Sequence, residues 1–174
     1  DKIYDEMTDF AKYAFNKSHA AAYAVVSYQT AWLKYYYPVE YMAALMTSVI
    51  DNPGKVAEYI YSCRQMGIKI LPPDINHGYS SFSVDNGSIR YGLAAIKSIG
   101  RPVIKEIVAE RKANGEFKNL KDFIERMSGK DINKRTIENF IKSGAFDELG
   151  GTRKQFMVIY VQILDQVNRE KKNS

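Results

Sequence analysis

Sulfur and imidazole are scarce in this chain: among 174 residues there are one cysteine, Cys63, and two histidines, His19 and His77. A lone thiol closes no internal disulfide, and one Cys with two scattered His lacks the ligand spacing of a zinc site. A reducing, intracellular setting is expected, with Cys63 a small core hydrophobe rather than a nucleophile, because neither His lies near it in sequence. Long apolar runs are missing too. The most apolar stretch, Ala20 to Leu33, is shorter than a membrane span and carries Ser27, Gln29 and Thr30, and the first nine residues are acidic, unlike a signal peptide. No membrane segment is expected, and a cytoplasmic location goes with that. Clustered carboxylates of the kind that hold two metal ions are also wanting. Asp1, Asp5 and Asp9 share a helix face at an exposed start, where they complement the macrodipole, and Asp147 with Glu148 stands isolated. No catalytic residue, metal ligand or cofactor is therefore assigned within the chain.

What is present is enough apolar material for a core, 45% of residues, with 26% charged, close to the averages of folded soluble chains. The net charge of +5 is unevenly spread. Residues 1–87 carry 7 Lys+Arg against 9 Asp+Glu, and residues 88–174 carry 18 against 11, net +7. The second half is where a polyanion would dock.

Periodicity puts Ile3, Met7, Phe10 and Ala14 on one helix face, in register from the first residues and without a cap, as in a piece of a longer protein. Phe15-Asn16-Lys17-Ser18 is expected to interrupt this helix, and Ser18 to cap a second one, apolar nearly all round, that ends at Tyr37 before Pro38. Pro38 to Val49 and Lys55 to Met66 read as further helices separated by the turn Asp51-Asn52-Pro53-Gly54. Pro72 and Pro73 keep Ile68 to Asp74 extended, and alternation around Asn86-Gly87 gives a β-hairpin over residues 82–91. Short helices follow: Leu93 to Ile99, then a longer one restarted by Pro102 with Val103, Ile104, Ile107 and Val108 inward. Next come Leu120, Phe123, Ile124 and Met127, then Ile137, Phe140 and Ile141 up to Gly144. Thr152-Arg153-Lys154-Gln155 is a capping box opening a last helix with Phe156, Ile159, Tyr160, Ile163 and Val167 on one side, frayed from Arg169. The expected fold class is all-α with a small β-hairpin.

Two helix–turn–helix passages lie in the basic half, one at Lys97-Ser98-Ile99-Gly100-Arg101, the other from Lys142-Ser143-Gly144 to Thr152-Arg153-Lys154. Amides freed at such a turn and at the next helix start, with flanking cations, suit a phosphate backbone. Gly100 lets a phosphate approach; Ser98 stands where such turns usually have Gly. Lys97, Ser98, Gly100, Arg101, Lys142, Gly144, Thr152, Arg153 and Lys154 are the candidate DNA-binding residues. Lys17, beside the expected helix start at Ser18, is placed to meet a triphosphate. His77 is expected to be solvated in a polar loop.

Several strings carry a family resemblance: Phe15-Asn16-Lys17-Ser18-His19-Ala20-Ala21-Ala22-Tyr23, Ser27 to Lys34 with Tyr37-Pro38, Met66 to Asn76, Tyr91 to Lys97, Asn133-Lys134-Arg135, and Ser143 to Asp147. Over nearly its whole length the chain resembles the catalytic alpha subunits of bacterial DNA polymerase III, the replicative polymerases. The resemblance implies late fingers in residues 1–80 and a tandem helix-hairpin-helix region, with the small β-hairpin at its start, in residues 81–174. It further implies that Asn16, Lys17 and His19 face the incoming deoxynucleoside triphosphate, with Tyr23 and Lys34 as weaker candidates, and that the hairpins hold duplex primer-template DNA. The palm aspartates and their Mg²⁺ would lie upstream of Asp1, so this chain alone should be inactive. The clamp-binding motif and oligonucleotide-binding domain would lie downstream, and the other polymerase domains and replisome subunits would be its partners. Two rival classes are a base-excision glycosylase, which needs a Gly-Pro-Asp setting that is missing here, and a non-enzymatic hairpin module of a repair protein, which leaves Phe15 to Tyr37 unexplained.

Overall fold

A computed structural model describes residues 2–172; the side chains of Tyr4, Lys12, Tyr13, Ala14, Phe15, Asn16 and Lys172 lie outside the described residues. Internal contacts divide the chain into two units, Asp1–Tyr41 and Met42–Ser174. In the first, α1 runs without a break over Lys2–Tyr36. The interruption expected at Phe15 to Ser18 does not occur, and Ser18 lies within the helix rather than at its start. Neither Gly nor Pro occurs before Pro38, and Asn and Ser inside a helix cost only about 0.5 kcal/mol each, too little to stop propagation. Pro38, which has no N–H to continue the ladder, marks the change to α2 (Pro38–Ser48).

In the second unit Met42, Ala43 and Met46 of α2 are buried, and α3 (Pro53–Gln65) starts where the Asn52 side chain accepts from the Lys55 amide at 3.1 Å. Cys63 is fully buried on α3, as its helical face required. The sheet holds three strands, one more than the expected hairpin. β2 (Ser83–Asp85) and β3 (Ser88–Arg90) pair antiparallel around Asn86 and Gly87, both at positive φ as this tight turn demands. β1 (Ile70–Leu71) adds in parallel on the far side of β3, matching Ile70 to Ile89 and Leu71 to Arg90. The segment kept extended by Pro72 and Pro73 is thus a sheet edge.

The 93–99 helix shrinks to a single 3₁₀ turn, Leu93–Ala95, after which the chain turns outward to reach α4 (Arg101–Asn114). α5 (Leu120–Met127), α6 (Lys134–Ser143) and α7 (Arg153–Lys172) complete the unit. The apolar stripes of α5 and α6 are buried as their spacing predicts. On α7 the stripe is Phe156, Tyr160, Leu164 and Val167, whereas Ile159 is 38% exposed: the buried line follows steps of four, four and three. Phe123 is the hub of the core, with ring centroids 5.0 Å from Phe117, 4.9 Å from Phe146 and 6.2 Å from Phe140. Edge-on contacts of this kind stabilise beyond the area they bury.

Asp74-Ile75-Asn76 pins the loop between β1 and β2 to this core. The buried Asp74 carboxylate accepts from the Asn76 and His77 amides at 2.8 and 2.7 Å. Asn76 exchanges two hydrogen bonds with the backbone of Phe117, and the Ile75 amide donates to Ala145 O at 2.9 Å. His77 is half-exposed rather than simply solvated, since its Nδ1 lies 2.9 Å from Asp74 Oδ1.

Candidate nucleic-acid interface

The first turn is built by a residue in an unusual conformation. Ser98 sits at φ +62, the left-handed region where glycine is the ordinary choice, so the position occupied by Gly in similar turns does ask for Gly's geometry here. Two hydrogen bonds from α6 hold it: Arg135 Nη2 donates to Ser98 Oγ at 3.2 Å, and Asn139 Nδ2 donates to Lys97 O at 3.0 Å. Gly100 precedes α4 at φ −77, ψ 143, a conformation open to any residue, and an added Cβ would meet only Pro102 Cδ, at 3.6 Å. Among the described residues nothing therefore requires glycine at position 100. No side chain caps α4, and Pro102 brings no N–H, which leaves the first amides of the helix facing outward.

The second turn is closed differently. Gly144, at φ +87, ends α6 by donating to Ile141 O and Phe140 O. Both halves of the capping box form: the Gln155 amide donates to Thr152 Oγ1 at 3.2 Å, and the Thr152 amide to Gln155 Oε1 at 2.9 Å. Arg153 turns back onto Asp147, which holds its guanidinium in two places and pushes its pKa further up. Lys154 is exposed on the first turn of α7.

Of the nine candidates, the fold brings Lys97 and Lys142 together on one open cleft of about 400 Å³, floored by Pro73, Tyr91 and Ile96. Arg101 lies elsewhere, 3.3 Å from Asp51, and borders a separate apolar hollow with Tyr79 and Ile104. Thr152, Arg153 and Lys154 lie at the start of α7 and do not line the cleft. Lys142 also lies 3.2 Å from Glu138, whose carboxyl is held below its usual range by the Tyr160 hydroxyl and, second, by Lys142. Arg135 and Asn139, absent from the sequence-based set, form with Lys142 a polar stripe opposite the apolar one on α6, Asn139 four and Lys142 seven residues after Arg135.

In α1 the continuous helix removes the free amides expected beside Lys17. Positions 17 and 19 do not share a helix face, whereas 16, 19 and 23 do. His19 stacks edge-on against Tyr23 at 4.5 Å between centroids, and both are exposed. The side chain of Asn16 lies outside the described residues.

Among the described residues no group of three or more His, Cys, Asp or Glu side chains is placed to hold a metal, and no helix is long and apolar enough to cross a membrane. With these features in hand, the chain belongs to the helix-hairpin-helix motif family, whose model matches residues 67–156. Curated relatives narrow the comparison. The chain is similar to the DNA polymerase III subunit alpha of Vibrio cholerae serotype O1 (52% identical) and of Escherichia coli K12 (51%), in each case over 90% of this chain and 14% of the relative. It is also similar to that of Deinococcus radiodurans, at 49% over 86% of this chain and 11% of the relative. The chain thus spans about one-seventh of the length of the first of these, and the resemblance read from its sequence is borne out.

Proposed function

We propose that the chain is a segment of a replicative DNA-directed DNA polymerase, a nucleotidyltransferase that extends a primer 3′ end on a template. The observation that carries this reading is an identity of about half over nine-tenths of the chain to DNA polymerase III alpha subunits. The similarity covers 157 residues, well beyond the span of the hairpin motif, so it takes in sequence that a bare repair module has no use for.

In this reading residues 1–80 act as late fingers and residues 81–174 hold duplex primer-template DNA. The β1–β3 pairing crosses that line, so the division is one of roles. Asn16, Lys17 and His19 meet the deoxynucleoside triphosphate, His19 from the face it shares with Tyr23 and Lys17 from the flank. Lys97, Ser98, Gly100, Arg101, Lys142, Gly144, Thr152, Arg153 and Lys154 form the duplex surface. Support comes from the uncapped α4 start, the unforced glycine at position 100, and exposed cations on both turns. The described residues do not fit the Mg²⁺ of polymerase chemistry, so no catalytic step is assigned to them; the ion and its aspartates belong to other domains. Those domains, other replisome subunits and a cytoplasmic location complete the proposal.

The test is a titration of the chain with random-sequence duplex at several salt concentrations. Lys97, Arg101, Lys142 and Lys154 neutralising about four phosphates give log K against log salt a slope near −3.6, from about −0.9 per phosphate, with no sequence preference. Binding indifferent to salt, or confined to one sequence, overturns the duplex reading.

A further inference from the structure

The cleft between the first turn and α6 has a make-up that duplex-backbone binding leaves unused. Its floor is apolar and aromatic, from Pro73, Tyr91 and Ile96, and its rim is Lys97, Asn139 and Lys142. Ile96 is buried, and Tyr91 is half-buried with its ring held edge-on to Phe82, 5.0 Å between centroids. The floor is thus packed in place by the fold. Asn139 spends an N–H on Lys97 O, which keeps the Lys97 backbone in place and leaves its own amide oxygen as an acceptor on the rim. Among the described residues no carboxylate pairs with Lys97. Among the described residues Lys142 pairs with the half-buried Glu138, its own end largely exposed, in a pair of the sort worth little in water.

A phosphate on regular duplex needs only the rim. Bases in a duplex are stacked inside it and do not reach an apolar floor, whereas an unpaired nucleotide offers a base to the floor and a phosphate to the rim together. About 400 Å³ is in the range of small-ligand sites, which are mostly apolar with a few placed polar groups. We infer that this cleft takes one unpaired nucleotide of a single-stranded DNA, its base against Tyr91 and Pro73 and its phosphate on Lys97 and Lys142. Asn139 accepts from the base edge. The site shares Lys97 and Lys142 with the proposed duplex surface and adds the apolar floor and Asn139, which a duplex backbone leaves unused.

Three fluorescently labelled probes titrated against the 174-residue chain test it: a short oligodeoxythymidylate, an abasic strand of the same length and charge, and a random duplex. The expected result is that the thymidylate strand binds about 5- to 150-fold more tightly than the abasic strand, the range that one stacked base supplies. Lys97→Ala with Lys142→Ala should also flatten the single-strand salt slope by about 0.7, the share of the one phosphate they hold together. Both residues are exposed, so the folded state should survive the change, and the comparison of the two strands needs no variant. Equal affinity for the thymidylate and abasic strands overturns the inference. If that equality comes with intact, salt-dependent duplex binding, the duplex reading stands while this one falls; loss of all three interactions rejects both.

Discussion

The guanidinium of Arg153 closes on Asp147 from both sides, Nε 2.9 Å from Oδ1 and Nη2 2.6 Å from Oδ2, while Nη1 reaches back to Lys142 O at 3.4 Å. A residue that the sequence offers as a phosphate contact is therefore already engaged by a carboxylate in bidentate geometry. Releasing it should add a contact. Asp147→Asn is expected to steepen the salt slope of duplex binding by about 0.9, one further phosphate, and to raise affinity at low salt. An unchanged or shallower slope in the same titration would show that Arg153 points away from DNA even when freed.

Ser98 offers a test of backbone geometry. At φ +62 an L-residue pays roughly 1–2 kcal/mol relative to the right-handed region, and a β-branched side chain fits worst. Ser98→Gly relieves that strain but gains unfolded-state entropy and loses the Arg135 hydrogen bond, so its stability should stay within about 1 kcal/mol of the parent. Ser98→Val, with no such relief, should be destabilised by about 1–2 kcal/mol. Urea midpoints for the two variants check the contrast, and equal midpoints would mean that the turn relaxes to negative φ.

Much of the second unit was legible because its signals are local. The Asp51–Gly54 turn, the Asn86-Gly87 turn, the Gly144 stop and the Thr152–Gln155 box each declare themselves within four residues, and the stripes of α5 and α6 follow from period alone. What stayed hidden depends on distance. β1 joins β3 across 19 residues with no local mark, and Arg135 reaches Ser98 across 37. The false break in α1 has another cause: Asn16 and Ser18 weaken a helix only slightly, and in an alanine-rich stretch without Gly or Pro the propensity of the neighbours wins. At the candidate site the turn glycines are readable, but the stripe of Arg135, Asn139 and Lys142 carries no mark of its own, because the apolar face of α6 alone accounts for the helix.

Glu110 provides a pH dependence with a definite sign. Its carboxylate takes Lys130 Nζ and Asn114 Nδ2, each at 2.7 Å, and Arg126 Nε at 3.2 Å, and these partners, Lys130 first, hold its pKa down to about 2 from an ordinary 4.5. A carboxyl whose pKa is lower folded than unfolded contributes stability that is complete above the unfolded value and disappears as pH falls through the folded one. The contribution should fade between pH 4.5 and about 2. Glu110→Gln should be less stable than the parent at pH 7, with the gap narrowing across that window. Thermal melts at closely spaced pH values check this, and a constant gap down to pH 2 would assign the loss to packing instead of charge.

Gly100 separates geometry from charge in the duplex interface. Its backbone suits any residue, and a Cβ there meets only ordinary contact with Pro102, so Gly100→Val costs little inside the fold. Two small effects oppose each other: valine is a poorer helix-start residue than glycine, and it restricts the unfolded chain. Stability should therefore change by less than about 1 kcal/mol. At the surface the effect is larger, because an isopropyl group in front of the α4 amides keeps a phosphate from hydrogen-bond distance while every cation stays where it was. Losing one charge-assisted hydrogen bond, worth about 1.5–3 kcal/mol, should weaken duplex binding by roughly ten- to a hundredfold, with the salt slope nearly unchanged. Lys97→Ala should do the reverse in proportion, shifting the slope by about 0.9 for a smaller loss at moderate salt. Duplex titrations of both variants at several salt concentrations, run beside their urea midpoints, decide the matter. Undiminished affinity in Gly100→Val would place the phosphate away from this turn and leave the glycine without a role in binding.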